Sequence, residues 1–308
     1  MALLLVTLTL ILSLPGGAAG DGAMVVSRPA EVSTVSLEVG GVARRTLVVE
    51  PPADSVAARQ RPPLLIVLHG VGGQGADMRH LGFEELASDR GVIVAYPDAF
   101  RGSWNDGRPG MEPASPGDVV DDVAFLRALV VELGSRAGAD THRVAVAGFS
   151  NGALMTGRLA CELPDGLVAV GLVAGTVGEG FTASCRPNRP LPVVLVAGTA
   201  DAIVPYGGGQ IADFAGRKRG RVASAEEFVA FWAATNRCPT SVETPVPGAA
   251  VPVTRREAQG CASTASVVHY RIGDGGHDWY RVSGFDTTAA VWGFLAPWLG
   301  AGTVPDRP

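Results

Sequence analysis

Residues 143–155 read RVAVAGFSNGALM, and this stretch decides the fold. Its first half alternates apolar residues as a buried β-strand does, and its end, Ala153-Leu154-Met155, is typical of a helix. Between them, Gly148-Phe149-Ser150-Asn151-Gly152 predicts a sharp turn with one hydroxyl at its apex. Glycines suit the flanks of such a turn, because larger side chains would crowd the strand and the helix that meet there. Since the chain has 41 glycines, the pentapeptide alone is weak evidence for such a turn. The predicted strand before it and the predicted helix after it make the evidence strong.

A G-x-S-x-G turn between a strand and a helix is the nucleophile elbow of the α/β-hydrolases. The rest of the chain agrees with that fold, because five or six apolar runs alternate with helical patterns. Continuous runs at 64–68 and 92–96 predict parallel strands covered on both faces, whereas alternation over 32–49 around Gly40-Gly41 predicts a hairpin. We therefore predict an α/β-hydrolase fold: a mostly parallel central sheet, helices on both faces and an antiparallel N-terminal hairpin.

The domain organisation follows from the N-terminus and from the spacing of these runs. An apolar stretch over 3–14 is followed by Pro15-Gly16-Gly17 and small residues, which predicts a signal peptide at 1–20 and a secreted protein without a stable membrane anchor. We expect a linker at 21–31, one catalytic domain at 32–300 and a tail at 301–308. Within the domain, residues 206–264 interrupt the alternation of strand and helix patterns, and we interpret this segment as an insertion over the active-site edge.

Charge and cysteine content exclude several functions. The net charge of −5 argues against a nucleic-acid partner, because no basic surplus is present to neutralise phosphates. Four cysteines suit disulfides in an exported protein; of three possible pairings, proximity in sequence favours Cys161–Cys185 and Cys238–Cys261. No metal site is predicted: the cysteines lack metal-ligand spacing, and Asp118, Asp121 and Asp122 stand where carboxylates cap a helix over 119–133.

A serine nucleophile needs a general base, and five histidines are available. His277 lies in the loop just past the last predicted strand, which is where this fold carries its base. The other four histidines fit less well. His142 precedes the strand that leads to Ser150, at the opposite end of the sheet, and His269 lies inside a predicted strand. His80 lies inside a predicted helix, and His69 stands directly before a glycine-rich loop. We assign His277 as the base and expect His69 to shape its loop by hydrogen bonding.

The remaining site residues follow from the order of the motifs. Asp201 comes after a strand between Ser150 and His277, so it is predicted to orient the histidine. The oxyanion is expected to bind the backbone N–H groups of Asn151 and Val71, with Gly70 and Gly72 as alternatives to Val71. Two tryptophans on loops at the same edge, Trp104 and Trp279, are predicted to line the substrate pocket, with core packing as the alternative.

Taken together, six motifs resemble a known family. They are LHGVGG at 68–73, SWNDGR at 103–108, DDVAFLRAL at 121–129, GFSNGALM at 148–155, GTADAIVPY at 198–206 and GGHDW at 275–279. In this order they resemble the secreted polyhydroxybutyrate depolymerase-like esterases, which are grouped with feruloyl and acetylxylan esterases in carbohydrate esterase family 1. The resemblance covers nearly all of 32–300.

The resemblance implies an α/β-hydrolase that cleaves carboxylic esters without a cofactor, with a triad at Ser150, Asp201 and His277. It also implies a Cys238–Cys261 pairing. The chain departs from many relatives at Ala153, where they carry a second glycine, and we expect only a tail after 300 in place of the separate binding domain that polymer depolymerases carry. Its expected partner is therefore a small-molecule or oligomeric ester, either a hydroxyalkanoate or a feruloyl or acetyl ester. The alternatives are a serine peptidase, an acyltransferase and a non-catalytic secreted binding protein.

Overall fold

The computed structural model describes residues 30–52, 61–88, 90–111, 120–162, 165–212, 218–262 and 265–300. The predicted signal peptide at 1–20, most of the linker at 21–31, Asp118 and the tail at 301–308 lie outside the described residues.

One large sheet organises the described part of the chain, in the order β1-β2-β4-β3-β5-β6-β7-β12-β11-β10. Its strands are β1 (Glu31–Val39), β2 (Val42–Glu50), β3 (Leu64–Leu68), β4 (Ile93–Pro97), β5 (Val144–Phe149), β6 (Leu167–Val173), β7 (Val193–Gly198), β10 (Thr240–Pro245), β11 (Val253–Gln259) and β12 (Val267–Ile272). The six strands from β4 to β12 in this order are parallel, and the pairs at both edges are antiparallel. The predicted mostly parallel α/β sheet is confirmed.

Each central strand contributes to two hydrophobic cores, one on each face of the sheet. In β3, Leu64, Ile66 and Leu68 pack into one core, and Leu65 and Val67 pack into the other. Because side chains alternate along a strand, a strand covered on both faces must be apolar at every position. This requirement explains the uninterrupted run over 64–68.

Helices cover both faces, as predicted. Helices α2, α3 and α5 contribute to the first core, and α1 and α6 contribute to the second. The helices are α1 (Phe83–Ser88), α2 (Asp122–Arg136), α3 (Asn151–Glu162), α4 (Phe181–Ser184), α5 (Ala225–Thr235) and α6 (Thr287–Leu295). A 3-10 helix (Gly75–Leu81) precedes α1, and the two do not form one continuous helix because Gly82 between them has φ 84° and ends the 3-10 helix.

The two edges of the sheet differ in how well they were predicted. At the N-terminal edge, Gly40 and Gly41 both have positive φ (61° and 76°), which is what a two-residue hairpin turn requires. At the other edge, β10 and β11 belong to the segment that we interpreted as an insertion. The prediction of one insertion over 206–264 is therefore wrong, because β10, β11 and α5 extend the main fold. Of the strands described within 206–264, only the hairpin of β8 (Gly209–Ala212) and β9 (Lys218–Val222) stands apart from the main sheet.

The acidic residues at the start of α2 have separate roles. Asp121 caps the helix as predicted, accepting a hydrogen bond from the Ala124 N–H at 2.9 Å. Capping is the wrong role for Asp122, whose side chain is fully buried and forms an ion pair with the buried Arg44 of β2. The second carboxylate oxygen of Asp122 accepts the Asn105 N–H at 2.6 Å. Asp122 thus joins β2, α2 and the loop before α2.

We expect Asp122→Asn to lower the free energy of unfolding by about 3–5 kcal/mol, because it leaves the Arg44 guanidinium buried without its counter-charge. The matched control is Arg45→Ala on the same strand. Arg45 is 68% exposed and pairs with Asp98 at 3.4 Å, so its loss should cost less than about 1 kcal/mol. Urea denaturation of the three proteins measures both values. A cost below about 1 kcal/mol for Asp122→Asn would contradict the prediction.

A second buried polar side chain makes stability depend on pH. His269 in β12 is 1% exposed, and its Nδ1 accepts from the Arg256 guanidinium at 3.1 Å. Tyr206 stacks on the ring at 5.8 Å, while Glu226 and Arg271 act on it electrostatically. Burial, followed by the charge of Arg256, lowers the pKa of His269 to about 4. The folded protein therefore keeps this imidazole neutral where an unfolded chain would protonate it.

The sign of the pH effect follows. Between about pH 6.5, the ordinary value for histidine, and pH 4, the unfolded state binds a proton that the folded state does not. His269 should therefore lower the free energy of unfolding by up to about 3 kcal/mol as the pH falls through this window. Urea denaturation at pH 7, 5.5 and 4 should show a shallower pH slope in His269→Phe. The exposed His142, replaced by Gln, should leave the slope unchanged; equal slopes in all three proteins would refute the assignment.

Candidate active site

The turn at Ser150 has the geometry of a nucleophile elbow. Ser150 lies between β5 and α3 with φ 56°, a left-handed conformation that is uncommon outside glycine. The neighbouring glycines make this possible by close packing. A Cβ added to Gly148 would lie 2.2 Å from the Gly152 carbonyl oxygen, and one added to Gly152 would lie 2.3 Å from the Leu68 carbonyl oxygen. Neither position has room for a side chain.

The structure brings the three predicted triad side chains together. His277 Nε2 lies 2.9 Å from Ser150 Oγ, and His277 Nδ1 lies 2.8 Å from Asp201 Oδ2. Because a carboxylate can only accept, Nδ1 carries the proton and Nε2 is left as the acceptor facing the hydroxyl. The Asp201 side chain is 3% exposed and that of His277 is 15% exposed, so the chain of bonds is largely shielded from water.

The turns that carry Asp201 and His277 are bonded to each other. The Ala200 N–H donates to the Gly275 carbonyl at 2.8 Å, and the Asp274 N–H donates to Thr199 Oγ1 at 2.9 Å. Tyr280 adds a bond from its hydroxyl to the Gly276 carbonyl at 2.5 Å. Burial raises the pKa of Tyr280 to about 12, so the phenol stays protonated and can donate. These contacts fix the acid and the base relative to each other.

The Asp201 carboxylate is held at both oxygens. Oδ2 faces the histidine, and Oδ1 accepts the N–H groups of Ile203 and Val204, both at 2.8 Å. A turn in which an aspartate accepts from the backbone two and three residues ahead is a local preference of this residue type. The sequence that follows Asp201 therefore sets the orientation of its carboxylate.

His69 shapes the loop after β3. The Ala99 N–H donates to His69 Nε2 at 3.0 Å, which requires the proton to sit on Nδ1. Nδ1 then donates to the Gly70 carbonyl at 2.7 Å. Burial lowers the pKa of His69, which keeps the ring in this neutral form. The other two histidines set aside above, His80 and His142, are exposed.

The glycine-rich loop lies against the elbow. A Cβ on Gly70 would be 3.3 Å from the Cβ of Ser150, and the Gly72 N–H is used in a 2.7 Å bond to the Gly102 carbonyl. That bond removes Gly72 as an alternative oxyanion donor. Within the described residues, the N–H groups of Val71 and Asn151 have no protein acceptor. Both are therefore available to a ligand beside Ser150.

The two tryptophans have different environments. Trp104 is fully buried, and its indole N–H donates to the His69 carbonyl at 3.0 Å, so the prediction that it lines the pocket is wrong. Trp279 is half-buried and packs edge-on against Phe149 at 6.2 Å. The Phe149 ring in turn lies 5.2 Å from that of His277. A pocket role for Trp279 stays a prediction, and Phe149 is a neighbour of the base that the sequence pattern did not indicate.

The disulfides and the surroundings of the site complete the description. The structure joins Cys161 to Cys185 and Cys238 to Cys261. Among the described residues, no group of three or more His, Cys, Asp or Glu side chains is arranged to hold a metal ion. No helix in the same part of the chain has the length and apolarity that crossing a membrane requires.

Comparison of the sequence with protein families finds one match. The family described as Esterase PHB depolymerase matches residues 47–226, which is more than half of the chain. A protein named as an esterase, NocK, from Nocardia uniformis subsp. tsuyamanensis is 33% identical over 267 residues, covering 83% of this chain and 77% of that protein. Feruloyl esterase B from Piromyces equi is 30% identical over 212 residues, covering 66% of this chain and 38% of that protein. The chain thus spans well under half of the feruloyl esterase.

Two solved structures share the architecture. An acetyl xylan esterase from Aspergillus awamori superposes with a TM-score of 0.58 at 14% identity, covering 88% of this chain and all of that one (100%). A ferulic acid esterase from Anaeromyces mucronatus superposes with a TM-score of 0.56 at 15% identity, covering 89% of this chain and 92% of that one. At such identities the likeness shows the fold, and it confirms the α/β-hydrolase prediction.

Proposed function

The chain belongs to the Esterase PHB depolymerase family and is a carboxylic ester hydrolase, and from this premise we propose that it is a secreted serine esterase acting through an acyl-enzyme. The observation that carries the proposal is the continuous line of hydrogen bonds from Asp201 through His277 to the Ser150 hydroxyl. A serine hydroxyl is a weak nucleophile at neutral pH, and an adjacent oriented imidazole is what activates it.

In the proposed reaction, Ser150 Oγ attacks the ester carbonyl carbon while His277 Nε2 takes the hydroxyl proton. Asp201 holds the Nδ1 proton and stabilises the imidazolium that forms. The carbonyl oxygen becomes an oxyanion and accepts from the backbone N–H groups of Asn151 and Val71. His277 then gives its proton to the leaving alcohol, and an acyl group remains on Ser150. Water, deprotonated by the same histidine, releases the acid and restores the serine.

The proposed substrates are soluble esters: hydroxyalkanoate oligomers, or feruloyl or acetyl esters of plant polysaccharide. The family description and the names of two relatives, a feruloyl esterase and an acetylxylan esterase, support this range. We further propose that the half-buried Trp279, two residues from the base, offers an apolar surface to the acyl group. No metal or organic cofactor takes part in these steps.

Secretion and the domain limits are parts of the same proposal. Two disulfides fit an oxidising compartment, and the apolar run over 3–14 followed by small residues fits a cleaved signal peptide at 1–20. We propose that 32–300 is the catalytic domain. Expression of the full chain in a secreting host, followed by N-terminal sequencing of the protein in the medium, tests cleavage; retention of residue 1 in an intracellular product would refute it.

The experiment that tests the activity is an ester panel. It contains p-nitrophenyl acetate, methyl ferulate, acetylated xylan and hydroxybutyrate oligomers, with peptide p-nitroanilides and added acceptor alcohols as comparison arms. Turnover of at least one natural ester class, with little amide cleavage and little transfer to alcohol, supports the proposal. Faster amide cleavage would favour a peptidase, and dominant transfer would favour an acyltransferase. A purified protein that a fluorophosphonate does not label at Ser150 would point to a non-catalytic binding protein.

A further inference from the structure

The side chain of Asn151, the first residue of α3, is attached to the loop that precedes α2. Its Oδ1 accepts the Trp104 N–H at 2.8 Å, and its Nδ2 donates to the Trp104 carbonyl at 3.0 Å. Nδ2 also donates to Asp106 Oδ2 at 2.6 Å. The carboxamide is thus held by three bonds, all from residues 104–106, and it is 2% exposed. The backbone N–H of residue 151 could donate to the oxyanion with any side chain at this position, so these three bonds need a separate explanation.

Asp106 supplies the charged member of this arrangement. Its side chain is fully buried, and its other oxygen accepts the Arg108 N–H at 3.1 Å. The Arg108 guanidinium, 6% exposed, lies 3.5 Å from the carboxylate and offsets its charge. Burial raises the pKa of Asp106, while Arg108 and the bond from Asn151 act in the opposite direction. A buried ion pair is costly to desolvate, so its presence at this place calls for a role.

The backbone at the elbow gives a reason for that role. Ser150 has φ 56°, and a residue in such a conformation keeps it only where the surroundings hold it in place. The Asn151 N–H belongs to the first helical position, where no carbonyl one turn back accepts it. An oxyanion donor is effective only if its position is fixed before the reaction. The helix itself does not provide this constraint at its first residue.

We propose that Asp106 is a positioning residue for ester hydrolysis: it locks the Asn151 carboxamide against Trp104 and so fixes the Asn151 N–H in the oxyanion hole. The inference rests on the proposed function, because it explains how one of the proposed oxyanion donors is held in position. Asp106 touches neither the substrate nor the triad in this assignment. It acts through Asn151 alone.

The test compares Asn151→Ala, Asp106→Ala, the double variant and Asp106→Asn with the wild-type protein. Alanine at 151 keeps the backbone N–H and removes only its anchor. We expect Asn151→Ala and Asp106→Ala each to lower kcat for p-nitrophenyl acetate about 10- to 100-fold with little change in KM, because small misplacements of catalytic groups have effects of this size. The kcat of the double variant should be no more than about 3-fold below that of the less active single variant, since both changes release the same carboxamide anchor. Asp106→Asn has a single side-chain oxygen, which can accept from Nδ2 but not also from the Arg108 N–H, so it should recover only part of the loss.

Arg158→Met is the matched control. Arg158 lies on α3 and holds the same loop through the Asn105 carbonyl at 2.8 Å, but it does not bond to Asn151. Its kcat should stay within about 3-fold of wild type. The rate of Ser150 labelling by a fluorophosphonate provides a second measure that does not depend on the ester chosen, and it should fall in parallel with kcat.

Three outcomes separate the inference from the function on which it rests. A wild-type protein that neither labels at Ser150 nor hydrolyses esters overturns the proposed function. A labelled, active wild type with Asn151→Ala unchanged overturns the inference alone. So do losses in Asn151→Ala and Asp106→Ala that multiply in the double variant, because independent effects would then explain them. If the Asp106 variants do not fold, Asn151→Ala decides the question, because it leaves the pair of Asp106 and Arg108 in place and its unchanged kcat overturns the inference.

Discussion

Replacement of Ser150 by alanine is expected to lower kcat by at least about 10⁴-fold, because it removes the hydroxyl that His277 Nε2 contacts at 2.9 Å and can activate. The residual rate would come from substrate binding and the oxyanion donors, which remain in place. Ser150 is 7% exposed, and losing one oxygen at this turn should change the free energy of unfolding by less than about 1 kcal/mol. Initial rates with p-nitrophenyl acetate and a thermal melt of the same sample measure the two effects separately.

A serine outside the elbow provides the control. Ser184 is exposed, and its hydroxyl donates to the Phe181 carbonyl at 3.1 Å at the end of a short helix. Ser184→Ala should keep kcat within about 2-fold. If Ser150→Ala retained a tenth of the wild-type rate, the nucleophile would have to be another group, and the acyl-enzyme mechanism would fail with it.

The sequence predicts the central sheet well because its strands are covered on both faces. A strand such as β3 must be apolar at every position, so the pattern at 64–68 is unambiguous. The C-terminal edge is different. All six residues of β10 are exposed, and a polar run such as Thr240–Pro245 gives no hydrophobic signal that separates an edge strand from a loop. For this reason, the main-sheet strands within 206–264 were mistaken for an insertion.

The site likewise has a part that the sequence predicts and a part that it does not. Ser150, Asp201 and His277 follow the ends of central strands, and parallel strands bring their carboxyl ends to one edge, so their approach can be predicted from order alone. The contacts that hold the loop 103–108 are not periodic. Trp104 can be buried because its backbone N–H donates to the Asn151 carboxamide and its indole N–H donates to the His69 carbonyl. No pattern in the sequence predicts these hydrogen bonds. The signal for this loop is the motif SWNDGR itself.

Asp201→Asn is expected to lower kcat by about 10⁴-fold although the substitution changes a single atom. The Ile203 and Val204 N–H groups both point at Oδ1, so an asparagine must place its carbonyl oxygen there. Its NH₂ group then faces His277 Nδ1 and can only donate. The imidazole must accept at Nδ1 and carry its proton on Nε2. In that tautomer Nε2 cannot take the Ser150 proton, and the base is lost while the geometry stays intact.

The matched control for this prediction is Asp278→Asn, in the loop of the base. The Asp278 side chain is exposed and accepts the Trp279 N–H at 2.7 Å, an interaction that an asparagine oxygen can replace. Its kcat should stay within about 3-fold of wild type, and both variants should keep the wild-type KM within a similar range. If Asp201→Asn kept a tenth of the wild-type kcat, the orientation of His277 would have to come from the bonds between its loop and the turn at 198–201. Those bonds, from Ala200 to Gly275 and from Asp274 to Thr199, use no atom of the Asp201 side chain. The comparison therefore separates control of the histidine's tautomer from control of its position.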